Sequence, residues 1–138
     1  MVHTASIELD CNGFCDVQDI TEPLRRIVAE SGIRAGLACV ANPGSTAGIT
    51  TVEFEPGAVA DLKRALERLA PEDGRYEHDA TWGDGNGFAH LRSALVGASF
   101  TLPVRDGAPV LGTWQQVVFL DFDNRARHRS VVVSVVGD

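Results

Sequence analysis

The last third of the chain restricts the fold most strongly, because it is a succession of strand-forming runs separated by turn signals. These runs are 99–104 (SFTLPV), 113–123 (TWQQVVFLDFD) and 130–136 (SVVVSVV). In the middle run, Val117, Phe119 and Leu120 predict a strand that is buried on both faces. The short turn at 105–107 is typical of a connection between antiparallel neighbours. The region therefore predicts an antiparallel meander.

Earlier strands alternate with helical patterns. Strands are predicted at 3–9, 36–42 and, as an extended run rich in threonine, 45–55. The first helix is expected to have Thr21 as its N-cap and Pro23 in its first turn, and to end at Gly32. Because Gly32 is followed at once by an apolar run, a buried strand is expected directly after this helix.

Two more helices follow. The second is predicted to begin at Pro56 and to end at Pro71, with an apolar stripe facing the core. That stripe consists of Val59, Leu62, Leu66 and Leu69. A third, short helix is predicted in 88–98, with Phe88, Leu91 and Leu95 on its buried side.

These patterns predict a mainly β protein of the α+β class, with an antiparallel sheet or sandwich that carries two to three helices. The 138 residues are enough for a single domain over 1–138, and 44% of them are hydrophobic.

The net charge of −7 argues against non-specific binding to nucleic acid or to an anionic membrane. No apolar run approaches the length of a membrane span.

The cysteines bear on the compartment. There are three of them, Cys11, Cys15 and Cys39. An odd number, without a secretory signal ahead of it, predicts reduced thiols in a cytoplasmic protein. Cys39 lies in an apolar run and is expected in the core.

The run 72–87 has no periodicity and is long for a structureless connection, so it is a candidate functional loop. Asp84 and Asn86 lie among glycines, where backbone amides can bind an anion, although such a run is also typical of a tight turn. Arg92 is either a partner for a phosphate or a solvated helix arginine.

His90 follows this segment by three residues and is either a general acid or base or a histidine that packs on a short helix. His78 lies between Glu77 and Asp79, which favour its charged form, and either contacts a ligand or is an ordinary loop histidine. Glu53 acts as a base or ligand if its side chain faces the pocket, and on a strand it has an even chance of facing solvent.

Further candidates lie outside this segment. Ser45 and Thr46 follow a Pro-Gly turn, and their hydroxyls could bind an anion. Trp114 and Gln115 enter a strand after a glycine, and Trp114 is either the wall of a pocket for a flat ring or a core residue. The basic turn at 124–129 (NRARHR) is interpreted as a solvated hairpin end.

Five long motifs resemble the YjbQ-like family, also called the secondary thiamine-phosphate synthase family. They are STAGIT (45–50), LAPEDGRYEHD (69–79), WGDGNG (82–87), AHLRSALVGASFTLPV (89–104) and DGAPVLGTWQQVVFLDFDN (106–124). The resemblance covers nearly the whole chain. It implies a jelly-roll-like β-sandwich, a homotrimer with pockets near subunit interfaces, and a weak activity that forms thiamine phosphate.

The resemblance also implies a divalent metal such as zinc, held by histidines. Members commonly have histidine at the positions of Gly44 and Phe88 in this chain, so only His90 remains of the three. One imidazole cannot provide the three protein ligands of a catalytic zinc site. His78 with Asp84 or Glu53 could substitute, and their spacing does not require it.

Three hypotheses follow. The first is a transferase that binds a small phosphorylated ligand, with the 84–86 loop and Arg92 on phosphate oxygens and His90 in proton transfer. The second is a non-catalytic or altered trimer that has lost the metal site. The third is a structural or partner-binding trimer.

Overall fold

Eight strands and four helices make up the fold, and the computed structural model describes residues 1–138. The strands are β1 (Val2–Cys11), β2 (Asp16–Asp19), β3 (Ala35–Ala41), β4 (Ala47–Val52), β5 (Ser99–Arg105), β6 (Ala108–Pro109), β7 (Gln116–Asp121) and β8 (Arg127–Gly137). The helices are α1 (Thr21–Ser31), α2 (Pro56–Leu69), α3 (Glu77–Trp82) and α4 (Gly87–Val96).

The strands form two antiparallel sheets. One has the order β1-β8-β3-β5-β6, and the other has the order β2-β7-β4. The predicted α+β class, built mainly on antiparallel sheets, is confirmed. The expectation of two to three helices is wrong, because there are four. The jelly-roll-like sandwich and the single domain over 1–138 stay predictions.

Strand β7 separates two hydrophobic cores. Val117 and Phe119 pack into the larger core, together with the apolar face of α1. Val118 and Leu120 point the other way, into a smaller core beside α2 and α4. Successive side chains of a strand alternate between its faces, so an apolar β7 serves both cores. The prediction of a strand buried on both faces is confirmed.

The N-terminus of α1 differs from the expectation. Thr21 is the first residue of the helix rather than its N-cap, and Ile20 occupies the cap position without a side-chain hydrogen bond. The Asp19 carboxylate accepts from the Thr21 backbone N–H at 2.9 Å. The Thr21 hydroxyl accepts from the Val117 backbone N–H at 2.9 Å. Thr21 therefore ties α1 to β7 instead of capping the helix.

The region expected as a structureless loop contains helix α3, and β2 was also missed. At six and four residues, these elements are too short for apolar periodicity to show them. Gly83 ends α3 with a left-handed φ of 71°. None of the helices is both long and apolar enough to cross a membrane.

The burial expected for four residues is wrong. Leu91 and Leu95 on α4 are 41% and 57% exposed, and Leu69 on α2 is 66% exposed. Cys39 is half-buried rather than in the core. In α4, the buried residues on the C-terminal side of Ala89 are Arg92 and Ser93. The face of α4 that packs on the protein is therefore partly polar, which an apolar pattern cannot show.

Arg92 is the largest fully buried side chain, at 1% exposure. Its Nε donates to the Ala70 carbonyl at 2.9 Å, and its Nη2 lies 2.6 Å from Glu67 Oε2. Its guanidinium lies 5.1 Å from the centre of the Phe88 ring. Arg92 is therefore neither of the alternatives expected from the sequence, because it is a structural residue that joins α4 to α2.

We expect Phe88→His to unfold more easily without gaining a functional ligand. Phe88 is 2% exposed, and an imidazole there would lie in an apolar cluster beside the Arg92 cation. The loss in the free energy of unfolding should be about 2–4 kcal/mol, measured by urea denaturation. Leu95→His, on the exposed face of the same helix, is the control and should change stability little. Equal stability of both variants would contradict this packing.

Candidate functional site

One polar pocket of about 460 Å³ lies where three segments meet. The first is the loop 43–46 before β4, and the second is the α3–α4 region. The third is the connection from β7 to β8 together with the first residues of β8. From the second and third segments its lining residues are His78, Trp82, Asp84, Asn86, His90, Asp123, Arg125, Arg127 and Arg129. Both histidines of the α3–α4 region and three arginines thus share one cavity.

The floor of the pocket is a buried network of charges. Arg129 binds Asp121 through two hydrogen bonds, Nε to Oδ2 at 2.7 Å and Nη2 to Oδ1 at 3.0 Å. Arg129 Nη2 also donates to the Thr46 hydroxyl at 2.8 Å, and that hydroxyl donates to Asp123 Oδ2 at 3.2 Å. Arg127 reaches the same Asp123 oxygen at 2.7 Å. This network fixes the β8 arginines against β7 and the 43–46 loop.

The network controls the ionisation of its members. Burial acts to raise the pKa of Asp123, but hydrogen bonds from Asn124, Asn86, Arg127 and Thr46 outweigh it and lower the pKa. Hydrogen bonding to Asp121 raises the pKa of Arg129, against the opposing effect of burial. Asp123 is therefore a carboxylate at neutral pH, and the arginines beside it are charged.

The opposite wall is built by α3 and the start of α4. The Asp79 carboxylate accepts from the Gly87 backbone N–H at 2.8 Å, which holds the two helices together. The rings of His78 and His90 lie 4.3 Å apart, tilted by 42°. Asn86 donates to Asp123 at 3.3 Å and so joins this wall to the floor. The wall carries two imidazoles directed at the same cavity.

This wall fits a divalent cation. One ligand atom from each of His78, Asp79 and Asp84 lies within 4.8 Å of the others. His78 Nδ1 is buried without a hydrogen-bond partner, 3.4 Å from Asp84 Oδ1 and 3.6 Å from Asp79 Oδ1. Imidazole nitrogen and carboxylate oxygen are ordinary ligands of zinc and similar ions. The residues present therefore suit a metal, although glycine and phenylalanine stand at positions 44 and 88, where the resemblance implies histidine.

The two replaced histidine positions are not equivalent in space. Gly44 lines the pocket, and a Cβ added there would lie 3.3 Å from Asn42 Nδ2 and 3.5 Å from Arg129 Nη1. Phe88 lies in the smaller core, away from His90. Residues two apart on a helix do not share a face, so an imidazole at 88 in this chain could not join His90. Only the change at Gly44 removes a group from the pocket.

The structure brings six of the expected site residues together. Ser45, Thr46, His78, Asp84, Asn86 and His90 all line the pocket. Arg92 does not, because it is enclosed in the smaller core. The remaining three candidates, Glu53, Trp114 and Gln115, lie elsewhere.

Register explains why those three are distant. Ala47 on β4 pairs with Asp121 at the pocket end of β7, and Val52 pairs with Gln116 at the other end. Residues next to that second end are about 17 Å along the strands from the pocket. Glu53 there is exposed, and Trp114 is 73% exposed. The Gln115 side chain binds the Gly112 backbone at 2.9 Å and the Thr51 hydroxyl at 3.2 Å.

Sequence reasoning missed the basic side of the pocket. The turn at 124–129 was interpreted as a solvated hairpin end, whereas Arg129 is 6% exposed and Arg127 is paired with Asp123. The signal that could have found them is strand alternation. Arg127 and Arg129 share the inner face of β8, while His128 between them points outward to Glu8 and Asp10. Trp82 was also missed as a lining residue.

The structure is an α+β fold with a polar pocket, lined by three arginines, two histidines and two aspartates, where strand ends and helices meet. A family model described as UPF0047 protein YjbQ-like matches residues 5–138. The chain therefore belongs to the YjbQ-like UPF0047 family, and the resemblance expected from its motifs is confirmed.

Relatives and solved structures agree with this assignment. A UPF0047 protein of Methanocaldococcus jannaschii is 37% identical over 89% of this chain and 86% of its own length. One from Mycobacterium tuberculosis is 41% identical over 88% of this chain and 96% of its own. The structure of a YbjQ-like protein from Sulfolobus solfataricus matches with a TM-score of 0.95 at 29% identity, covering 100% and 99% of the two chains.

We expect Asp123→Asn to lower stability at neutral pH and much less in acid. The native pKa of Asp123 is below its usual 3.8, so its ionised form favours folding above about pH 4, and this contribution is lost as pH falls through the native pKa. At pH 7 the variant should lose about 2 kcal/mol. Urea unfolding between pH 7 and pH 2.5 measures this, with the exposed Asp73→Asn as control. A difference that is constant over this pH range would contradict it.

Proposed function

We propose that the pocket binds a small phosphorylated ligand. The observation that carries the proposal is the concentration of Arg125, Arg127 and Arg129 on one cavity of a chain whose net charge is −7. Arg127 and Arg129 are each paired with a buried aspartate, while Arg125 has no ion pair and is exposed. An unpaired guanidinium offers the planar fork of donors that suits phosphate oxygens.

Gly44 supports the same role, because it leaves the floor of the pocket open. A Cβ at this position would lie 3.5 Å from Arg129 Nη1, so the glycine adds no side chain of its own beside this guanidinium. The exposed Ser45 and the buried Thr46 add hydroxyls beside it. We infer that the phosphate group is held at this end, between the 43–46 loop and the arginines.

The finer proposal is the formation of thiamine phosphate, which the family resemblance implies. The reaction would condense a pyrimidine pyrophosphate with a thiazole phosphate: the thiazole nitrogen forms a bond to the pyrimidine's methylene carbon, the bond from that carbon to the pyrophosphate oxygen breaks, and pyrophosphate leaves. Both substrates and the leaving group carry the negative charge that the arginines would neutralise. His90, half-buried beside His78, is the group proposed for proton transfer. Glu53 lies outside the pocket, and no role is proposed for it. The homotrimer that the resemblance implies also stays a prediction.

We expect Arg125→Gln to weaken phosphate binding about tenfold, because it removes the one lining arginine without a carboxylate partner. Inorganic phosphate and pyrophosphate, titrated calorimetrically into the wild type, are the probes. Arg75→Gln is the matched control, because Arg75 is also exposed, has no ion pair and does not line the pocket.

Absence of phosphate and pyrophosphate binding to well-folded wild type would overturn the proposal. Equal losses of phosphate affinity in the Arg125 and Arg75 variants would show that binding depends on the overall charge of the protein and not on the pocket. The same two variants, expressed in a strain that requires thiamine phosphate, test whether the protein forms thiamine phosphate. Growth with the Arg75 variant and no growth with the Arg125 variant is expected, and no growth with wild type would refute that reaction alone.

A second candidate function is the binding of a divalent metal by His78, Asp79 and Asp84. The observation that favours it is the buried, unpaired Nδ1 of His78 beside two carboxylates. Bound there, such an ion would supply a Lewis acid for a phosphate oxygen. The chain's own residues would hold it, while His90 keeps its place beside His78. Without the ion, the chain corresponds to the altered, metal-free family member.

For this second function, we expect zinc to raise the melting temperature of wild type and to bind near one equivalent per chain. His78→Ala should abolish both effects. His3→Ala, on β1 outside the pocket, should retain them. Gly44→His should tighten binding, because Gly44 lines the same cavity. Elemental analysis after dialysis and a thermal melt provide the readouts, and loss of the zinc effects in both alanine variants would argue against this site.

A further inference from the structure

Trp82 lies in an unusual setting, because it lines the pocket and is nevertheless 74% exposed. It is the last residue of α3, a helix without a single buried residue. Its indole therefore contributes little to either hydrophobic core. A large exposed aromatic side chain at a cavity is typical of a surface that a partner molecule covers.

The helix aims Trp82 and His78 in the same direction. These residues are four apart on α3, so they lie one above the other on one helix face. His78 in turn contacts the ring of His90 on α4. The α3–α4 wall thus contributes three aromatic or heteroaromatic side chains to the pocket lining. These side chains offer flat π-surfaces to the pocket, whereas the arginines offer guanidinium donors.

We propose that Trp82 is a specificity-determining residue of this pocket, because its exposed indole stacks on a planar ring of the phosphorylated ligand. This inference rests on the proposed function, since the arginine side takes the phosphate. A cavity of about 460 Å³ has room for a ring together with a phosphate group. Stacking tolerates many ring types because every such ring has a π-face.

The position of Trp82 also indicates how the aromatic side and the arginine side of the pocket would share the binding of one ligand. The phosphate is charged and strongly attracted, so it provides affinity that is shared by all phosphorylated compounds. Stacking on the indole adds affinity only when a ring is present. Trp82 therefore determines specificity, and the arginines determine the common requirement for phosphate.

The chain offers a direct probe, because it has two tryptophans, Trp82 and Trp114. Trp114 precedes β7 at the strand end away from the pocket and does not line it, so Trp114→Phe leaves an indole only at Trp82. We would titrate this variant with phenyl phosphate and adenosine monophosphate, and with their ring-free counterparts glycerol 3-phosphate and ribose 5-phosphate. Calorimetry gives the affinities, and indole emission reports contact with Trp82.

We expect the ring-bearing phosphates to bind on the order of tenfold more tightly than the ring-free ones and to quench the Trp82 emission. Trp82→Ala should bring the two groups to equal affinity while inorganic phosphate binds as in wild type. Arg125→Gln should weaken all of them together. This pattern separates a ring site from a phosphate site.

Equal affinities of the ring-bearing and ring-free compounds for wild type would overturn the inference and leave the phosphate site intact. The same conclusion follows if Trp82→Ala retains the preference for rings. Failure of every phosphate to bind, inorganic phosphate included, would instead overturn the proposed function on which the inference rests.

Discussion

The pocket depends on the buried ion pair between Arg129 and Asp121. Its two hydrogen bonds, at 2.7 and 3.0 Å, cross from β8 to β7 and so join the larger sheet to the smaller one. The same guanidinium binds Thr46 and thereby positions the loop before β4. Loss of one partner of a buried pair costs about 3–5 kcal/mol, because the other charge stays buried. Fold stability and pocket geometry therefore rest on the same contact.

Charge pairing also decides which arginine is free for a ligand. Arg127 and Arg129 are already matched by Asp123 and Asp121, so their charges are largely neutralised within the protein. Arg125 has no such partner and stands at the open side of the cavity. The structural network thus fixes the shape of the pocket, and the unpaired arginine leaves positive charge for an anion. Because Arg127 and Arg129 stabilise the fold and Arg125 does not, a substitution of Arg125 can change the affinity for an anion without loss of the fold.

Much of this arrangement could be predicted from the sequence, and the rest depended on long-range register. Alternation and turn signals located β7 and β8, and the motif around His90 located the pocket segment. Trp114 was either a pocket wall or a core residue by its sequence, but it precedes β7 at the end away from the pocket, which the pairing of β7 with β4 establishes. Arg92 looked like an anion partner because a helix pattern does not reveal a carboxylate on another helix. Arg129 looked solvated because its buried partner lies eight residues away across a turn.

Gly44 and Phe88 both depart from the pattern that the family resemblance implies, and their locations decide which of them affects the cavity. Phe88 stands on the core side of α4, at a position where the resemblance implies histidine, so it adds packing and takes nothing from the cavity. Gly44 stands within the cavity at the other such position, so the ligand atoms that this chain offers there include the oxygens of Asp79 and Asp84. A set of one imidazole and two carboxylates is compatible with zinc and with harder divalent cations. The glycine at position 44 therefore bears on the balance of nitrogen and oxygen donors in the cavity, while the lining arginine that stays unpaired is Arg125.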